Sequence, residues 1–415
     1  MRIVSEEFLA ARLAALRPNP RVVVGGNFAT PWRALALLDA SVERYRLFAL
    51  NAQPGIPDRD GVTLETAFTG PGMRGSTRLR YFPCRLSLVP RLLGTALPPD
   101  VVLMQTSAPG RGAVSLGTEV NVLPAAIEAV RDRGGLVIAQ LNPQMPYTYG
   151  DAVVAEELID YAIEADLPLP SPPRSPGSAP AAAAGASGAI AGRVAALIPD
   201  GATLQLGIGS VPDAVLAALT GRSGLAIWSE MFSDGVLGLA KAGALDPDQP
   251  VVASFAFGSA DLYRWMDGNP GIQMLRTEMT NDPALIARRP KLVSVNGALQ
   301  VDLFAQANAS WVGGRIHSGF GGQPDFVVGA LHSPGGVAVI ALPSWHPKAG
   351  VSTVVPMIDG PVTSFQHSFI VSELGTAAIW GCDADEQARQ IIRNVAHPSV
   401  RGQLADAGRG LGLRV

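Results

Sequence analysis

The chain has 415 residues, 47% of them hydrophobic and 16% charged, and a formal net charge of −3. That length suits two domains with sizeable cores. The charge balance, without a basic stripe, argues against nucleic acid as a partner. Aromatics are sparse at 6% while Gly (46) and Pro (34) are plentiful, a mix that fits an α/β enzyme with tight turns and small-residue packing. The opening segment, MRIVSEEFLAARLAALRPNP, is an amphipathic helix carrying Glu6, Glu7, Arg12 and Arg17. It lacks the basic-then-apolar order of a signal peptide, and no apolar run reaches the length of a membrane span. The expected protein is cytoplasmic, away from membranes. Cys84 and Cys382 stand far apart and form neither a disulfide framework nor a metal-type pair, and His317, His332, His346, His367 and His397 show no ligand spacing. No metal is expected.

Along the first half, RVVVGGN, DVVLMQTS and GLVIAQLN are continuous apolar runs that end in glycines or polar residues. Runs of this kind suit parallel strands covered on both faces. LPAAIEAVRDRGG between the last two has helical spacing and a glycine stop. Residues 167–192, LPLPSPPRSPGSAPAAAAGASGAIAG, break the pattern. Recurrent prolines forbid a regular helix or central strand from Pro168 to Pro180, so a linker is assigned to 171–188. It separates an N-terminal α/β domain (1–170) from a C-terminal one (189–415). The second half repeats the grammar. ATLQLGIG, GLAIWSE, KLVSVNG and GVAVIALPS are strands, and VPDAVLAALTG and DEQARQIIRNVAHP are helices. Alternation of strand and helix predicts parallel βαβ units, with chemistry at the carboxyl ends of the strands.

Four constellations stand at such ends. In GLAIWSEMFSDGVLGLAKAG (224–243) an apolar strand stops at Ser229-Glu230 and a helix follows. In QLGIGSVPDAVLAAL (205–219) Gly207 and Gly209 sit between a strand and a helix whose first N–H groups point at any anion placed there. In RIHSGFGGQPDF (315–326) Gly319, Gly321 and Gly322 make a loop able to offer N–H groups to an oxyanion. In VGGNFATPWRAL (24–35) Gly25 and Gly26 follow a strand, in the same grammar as the second constellation, which hints at a duplicated fold. Taken singly, each is explained as well by helix capping or a tight turn. Cys84, Ser107 and Ser115 lack the neighbours that activate a nucleophile.

Together these segments resemble the acetyl-CoA hydrolase/transferase family, and in particular its 4-hydroxybutyrate CoA-transferase-like branch. GRGAVSLGTEVN (110–121), AQLNPQMPYTYGD (139–151), QLGIGSVPDAVL, SEMFSDGV, TNDPALIA, SGFGGQPDF, ALPS and IIRNVAHPSVRGQL are similar to family segments in the same order, over nearly the whole chain. The resemblance implies two open α/β domains with mainly parallel sheets and an active site where the domains meet. It implies ping-pong transfer of CoA between an acyl-CoA and a carboxylic acid through a glutamyl-CoA thioester. The family glutamate falls on Glu230, and the oxyanion donors fall on the N–H groups of Ile208 and Gly322. CoA contacts are implied for Gly207, Gly209, Ser210, Gly319, Gly321, Gln323 and Lys348, and acyl or acid contacts for Asn27, Met145 and Phe320. Coenzyme A is then a substrate, no cofactor is permanently bound, and a homodimer is expected.

The chain departs from the family pattern in three places. ALPSWHPKAGVSTVVP carries Trp345, His346 and Pro347 as added bulk, with Thr353 where the family often has Arg, which turns the CoA diphosphate toward Lys348. VTSFQHSF has Gln366 and Ser368 in place of charged residues, and VSELGT keeps Glu373 but loses an aromatic. An acyl-CoA hydrolase using the same Glu230, and a catalytically silent acyl-CoA-binding protein, are the alternative readings.

Overall fold

A computed structural model describes residues 1–172, 185–364 and 366–415. Most of the compositional linker, residues 173–184, lies outside the described residues; residues 185–188 open a helix that runs Gly185–Ala196. The chain divides into two compact units. The first takes in Met1–Pro172, Pro250–Thr280 and Ile316–Gly321; the second takes in Pro173–Gln249 (described from residue 185), Asn281–Arg315 and Gly322–Val415. Two excursions of the second half of the chain therefore belong to the first unit.

The first unit is built on β1 (Arg2–Ile3), β2 (Arg21–Val24), β3 (Tyr45–Phe48), β4 (Val62–Thr66), β5 (Leu79–Tyr81), β6 (Val101–Thr106), β7 (Leu136–Leu141) and β8 (Tyr161–Glu164). They form one sheet in the order β1-β8-β7-β6-β2-β3-β4-β5, and every pair is parallel. The central runs VVV of β2 and VVLM of β6 are buried throughout, as strands covered on both faces must be. Helices α1 (Glu6–Ala14) and α2 (Trp32–Ser41) pack Leu9, Leu13, Leu35 and Leu38 into one core with Val22, Val24 and Leu103. The strand order reverses between β2 and β6. That is the switch point at which open parallel sheets leave a crevice. Within the excursion 250–280, Val251–Ala253 and Ile272–Met274 pair in parallel with each other and then with Tyr149–Gly150.

Buried polar groups are answered inside this unit. The start of α2 has no side-chain cap of its own; instead the N–H groups of Arg33 (2.9 Å) and Ala34 (3.2 Å) donate to Oε1 of the fully buried Gln140. Arg21, at the start of β2, crosses β3 to Glu65 on β4 in a two-pronged pair, Nε–Oε2 2.6 Å and Nη2–Oε1 3.2 Å, with both residues buried.

The second unit holds α3 (Gly185–Ala196), β9 (Thr203–Leu206), α4 (Ser210–Ala218), β10 (Ala226–Ile227), α5 (Asp234–Lys241), β11 (Leu292–Gly297), α6 (Gln323–His332), β12 (Val337–Ala341), β13 (Phe369–Val371) and β14 (Thr376–Ala378). Its main sheet runs β10-β9-β11-β12-β13-β14, parallel except for β14. Here the switch point lies between β9 and β11, and the chain leaves β9 directly into the Gly207–Gly209 turn. The fold is mixed α/β with mainly parallel sheets.

Replacing Glu65 by Ala strands the buried Arg21 guanidinium. The expected cost is about 3–5 kcal/mol, read from the shift of the urea transition. The double replacement Arg21→Met with Glu65→Leu should recover most of that loss, because it removes both charges; no recovery would show that the pair is not what Glu65 supplies.

Candidate active site

Glu230 stands three residues past the short strand β10, which is locked to the carboxyl end of β9. The Trp228 N–H donates to the Leu204 carbonyl (3.1 Å), and the buried Ser229 hydroxyl donates to the Leu206 carbonyl (3.2 Å). Trp228 is itself buried under the Arg289 guanidinium, 3.8 Å above its ring centre. These contacts fix the backbone from which the Glu230 side chain projects.

The Glu230 carboxyl meets the start of α6. Glu230 Oε2 and the Asn281 amide nitrogen both crowd the Cα of Gly322, and the Gly322 N–H and the Asn281 amide both favour the charged form of the carboxyl. Gly322 caps that helix with an ordinary φ of −88°, so its conformation does not demand glycine. What demands it is space: a Cβ built on Gly322 would collide with Glu230 Oε2 and with the Asn281 amide nitrogen. A helix N-terminus favours an anion, and the Asn281 amide also favours the charged form. Burial acts in the opposite sense and is the largest influence. It raises the carboxyl from 4.5 to about 7, and the like charge of fully buried Asp325, in the first turn of α6, adds to the rise. The group is thus held near the point where it is half ionised at neutral pH.

The Gly207–Gly209 turn belongs to the same unit. Gly209 has φ +124° and opens α4, a conformation that L side chains rarely adopt. Gly207 is different: its φ is not positive, and an added Cβ would meet nothing within 4 Å. Between them Ile208 is 45% exposed. Ser210 is exposed at the first turn of α4, its hydroxyl 3.2 Å from that of Ser187. Gln323 is half-buried as the first residue of α6, next to Gly322. Lys348 is exposed on the hairpin between Trp345–His346 and Val351–Ser352. On that hairpin the added bulk has a packing use, since the Trp345 ring lies 4.9 Å from the His397 ring of the AHP segment. Just before it, the Ser344 N–H donates to Glu373 Oε2 at 2.8 Å and the Ser344 hydroxyl donates to Oε1, which ties ALPS to VSELGT.

The remaining predicted residues lie in the first unit, and several of them do structural work. A Cβ on Gly319 would stand 2.5 Å from the Ala67 carbonyl oxygen, and one on Gly321, at φ +57°, 2.9 Å from the Phe68 ring. Both glycines allow their loop to lie against Ala67–Phe68, with half-buried Phe320 between them. Met145 is buried, takes the Thr118 N–H on its sulfur at 3.3 Å, and fills the space left by Gly117. Asn27 is buried at the end of β2 with φ +31°. Two of the family-like segments are stitched together here: the Ser115 hydroxyl bonds the Thr148 carbonyl (3.0 Å) and receives the N–H groups of Thr148 (2.9 Å) and Gly117 (3.1 Å). Asn281 and Asp325 were not singled out from sequence. An Asn before Asp-Pro reads as a helix start, and Asp282 does cap the helix Pro283–Ala287, which masks its neighbour.

The family model described as "Acetyl-CoA hydrolase/transferase C-terminal domain" matches residues 258–408. A 4-hydroxybutyrate coenzyme A transferase of Clostridium kluyveri is 38% identical over 343 residues, covering 79% of this chain and 77% of that protein. The chain belongs to the acetyl-CoA hydrolase/transferase family. A succinyl-CoA:acetate/propanoyl-CoA:succinate CoA transferase of Fasciola hepatica is 33% identical over 94% of this chain and 85% of its own length. Among solved structures, RipA from Yersinia pestis superposes with a TM-score of 0.90 at 27% identity, covering 99% of this chain and 98% of that one. The protein is an enzyme of the acyl-CoA:carboxylate CoA-transferase or acyl-CoA hydrolase type, as the expected resemblance implied.

Two outcomes follow from the geometry of this CoA-transferase-family site. Glu230 titrates higher when folded than when unfolded, so its ionisation destabilises the fold as pH rises from about 4.5 to about 7. Glu230→Gln should therefore melt above the wild type at pH 8, with the gap closing toward pH 5; a gap independent of pH would show that Glu230 does not titrate upward. Gly322→Ala should lower turnover by about 100-fold or more with little change in melting temperature, because the added methyl displaces the carboxyl rather than straining the helix. Stability falling before turnover would make the glycine purely structural.

Proposed function

We propose that the protein transfers CoA between an acyl-CoA and a carboxylic acid, with Glu230 as the nucleophile. One observation carries this reading: the Glu230 carboxyl lies so close against the start of α6, beside the Asn281 amide, that a Cβ on Gly322 would collide with both, and burial raises that carboxyl to about 7. Desolvation makes the ionised form more reactive than a carboxylate in water, and packing against Gly322 and Asn281 restricts its position.

In the proposed sequence a Glu230 carboxylate oxygen attacks the thioester carbonyl. The tetrahedral intermediate collapses with expulsion of the CoA thiolate, which leaves a mixed anhydride. The thiolate then attacks the glutamyl carbonyl and releases the first carboxylic acid as its anion, giving a glutamyl-CoA thioester. An acceptor carboxylate attacks that thioester and the two steps run in reverse, restoring Glu230. Glu230 Oε2 lies against Gly322, so the Gly322 N–H is assigned to the oxyanion that forms on the glutamyl carbon. Ile208, exposed in the Gly207–Gly209 turn, is assigned to the oxyanion of the substrate carbonyl. Each such donor contributes about 3 kcal/mol. The open side of Gly207 leaves backbone accessible for CoA, with Gly209, Ser210 and Gln323 near it along the chain; Lys348 is assigned to the diphosphate. A homodimer in the cytoplasm completes the reading.

Incubation with acyl-CoAs followed by borohydride tests it. Reduction of the glutamyl thioester should mark Glu230 in peptide mass spectra, and Glu230→Ala should lose both the mark and the exchange. Exchange by Glu230→Ala within tenfold of wild type would sink the assignment. Release of free CoA without any acceptor acid would move the activity to hydrolysis by the same glutamate.

A further inference from the structure

The first unit carries a buried carboxyl that the scheme above leaves unused. Glu119 lies in the GTEVN segment, is 3% exposed, and sits against the turn that leaves β2 at the sheet's switch point. Its Oε1 receives the Gly26 N–H at 3.2 Å and the Asn27 side-chain amide at 2.9 Å. The Asn27 oxygen in turn receives the Asn51 side-chain amide at 3.0 Å. Both asparagines hold left-handed backbone, φ +31° and +49°. The turn is also tight: a Cβ on Gly26 would overlap the Leu50 carbonyl oxygen.

This chain of amides has a direction. Oε1 accepts the Gly26 N–H, which can only donate, so it is an acceptor, and Asn27 turns its NH₂ toward Glu119 and its oxygen away. Asn51 must then donate to that oxygen, which leaves its own Oδ1 as the outer end. Asn51 is half-buried, and its Oδ1 takes no hydrogen bond among the described residues. The relay thus runs from a buried anchor to an acceptor at the carboxyl end of β3, beside the crevice where open parallel sheets take ligands. Among the described residues, no ionisable neighbour contributes to the shift of Glu119. Burial raises it to about 7, and the donors from Asn27, Gly26 and Ala29 work against that rise.

We infer that Glu119 is a positioning residue: acting through Asn27 and Asn51, it fixes the polar face that the first unit offers to the acyl or acid substrate. The inference rests on the CoA-transferase reading. It gives Asn27 an oriented role that its place in the sequence alone does not define. It asks only for an acceptor at position 119, not for a charge or for proton transfer.

Three variants test it in the full-length protein, with acetate, butyrate and 4-hydroxybutyrate as acceptor acids. Glu119→Leu removes the acceptor. Its KM for the acid should rise about tenfold, the value of one hydrogen bond, while the borohydride mark on Glu230 at saturating acyl-CoA stays at the wild-type level. Glu119→Gln keeps an oxygen that can accept, and should restore the wild-type KM to within about threefold. Asn51→Gly tolerates the left-handed backbone, removes only the outer end, and should reproduce the effect of Glu119→Leu even if that variant folds poorly. A lower melting temperature with unchanged KM in both Glu119→Leu and Asn51→Gly would overturn the inference and leave Glu119 a structural residue. An effect in Glu119→Leu that Gln does not rescue would equally overturn it, since charge would then be what matters. Absence of both exchange and mark in the wild type with every acid would instead defeat the CoA-transferase reading itself.

Discussion

A carboxyl group taken out of water has to be answered by fixed donors, and in the second unit that requirement shapes everything around Glu230. Burial alone would leave a neutral acid that attacks nothing. A fully solvated carboxylate would be ionised but weak and mobile. The structure sits between these limits because one helix start and one amide oppose the desolvation without cancelling it. The same balance explains the strictness of the surroundings. Gly322 has no room for a methyl group, Asn281 is fully buried, and the segment that carries Glu230 is pinned at Trp228 and Ser229. Asp325 works against the ionised form from within the same helix, so the carboxyl is kept close to its titration point rather than simply stabilised.

The two units reach a related arrangement by different chemistry. Each has a mainly parallel sheet whose strand order reverses once, and at each reversal a strand runs into a glycine turn and then a helix. In the second unit the turn is Gly207–Gly209, open to approach. In the first it is Gly25–Gly26–Asn27, closed over Leu50 and anchored by Glu119. The switch point dictates where a ligand can enter; it does not dictate what meets the ligand. One turn offers bare backbone, the other a relay of amide side chains with a defined polarity.

How much of this was legible in the sequence depended on whether a feature was local. Apolar runs such as RVVV, VVLMQT and LVSVNG announced buried parallel strands, because a strand covered on both faces has no polar alternation to hide it. The strand-end position of Glu230 was equally visible. The division into units was not: composition marks a proline-rich stretch, but nothing in residues 250–280 or 316–321 signals that they pack with the N-terminal sheet. That depends on pairings such as Gln273 with Tyr149, more than a hundred residues apart. Asn281 and Glu119 were illegible for the same reason, since an amide or a carboxyl acquires meaning only from what it faces. The shared order of Ser115 and Thr148 motifs was readable as resemblance, yet its cause is a buried hydroxyl network rather than contact with a reacting atom.

The glycines show how a structure separates requirements that a sequence merges. In SGFGGQ and GIGS all of them look alike, as places where backbone could approach a ligand. Three have a complete explanation inside the fold: Gly319 and Gly321 are crowded by Ala67 and Phe68, and Gly209 is held at a φ that side chains resist. Gly322 is excluded from having a side chain by the Glu230 carboxyl itself, so its reason is the site and not the scaffold. Gly207 has neither crowding nor strain, and an alanine there would fit the fold as it stands. That open backbone lies in the turn that follows β9, the strand to which the segment carrying Glu230 is bonded.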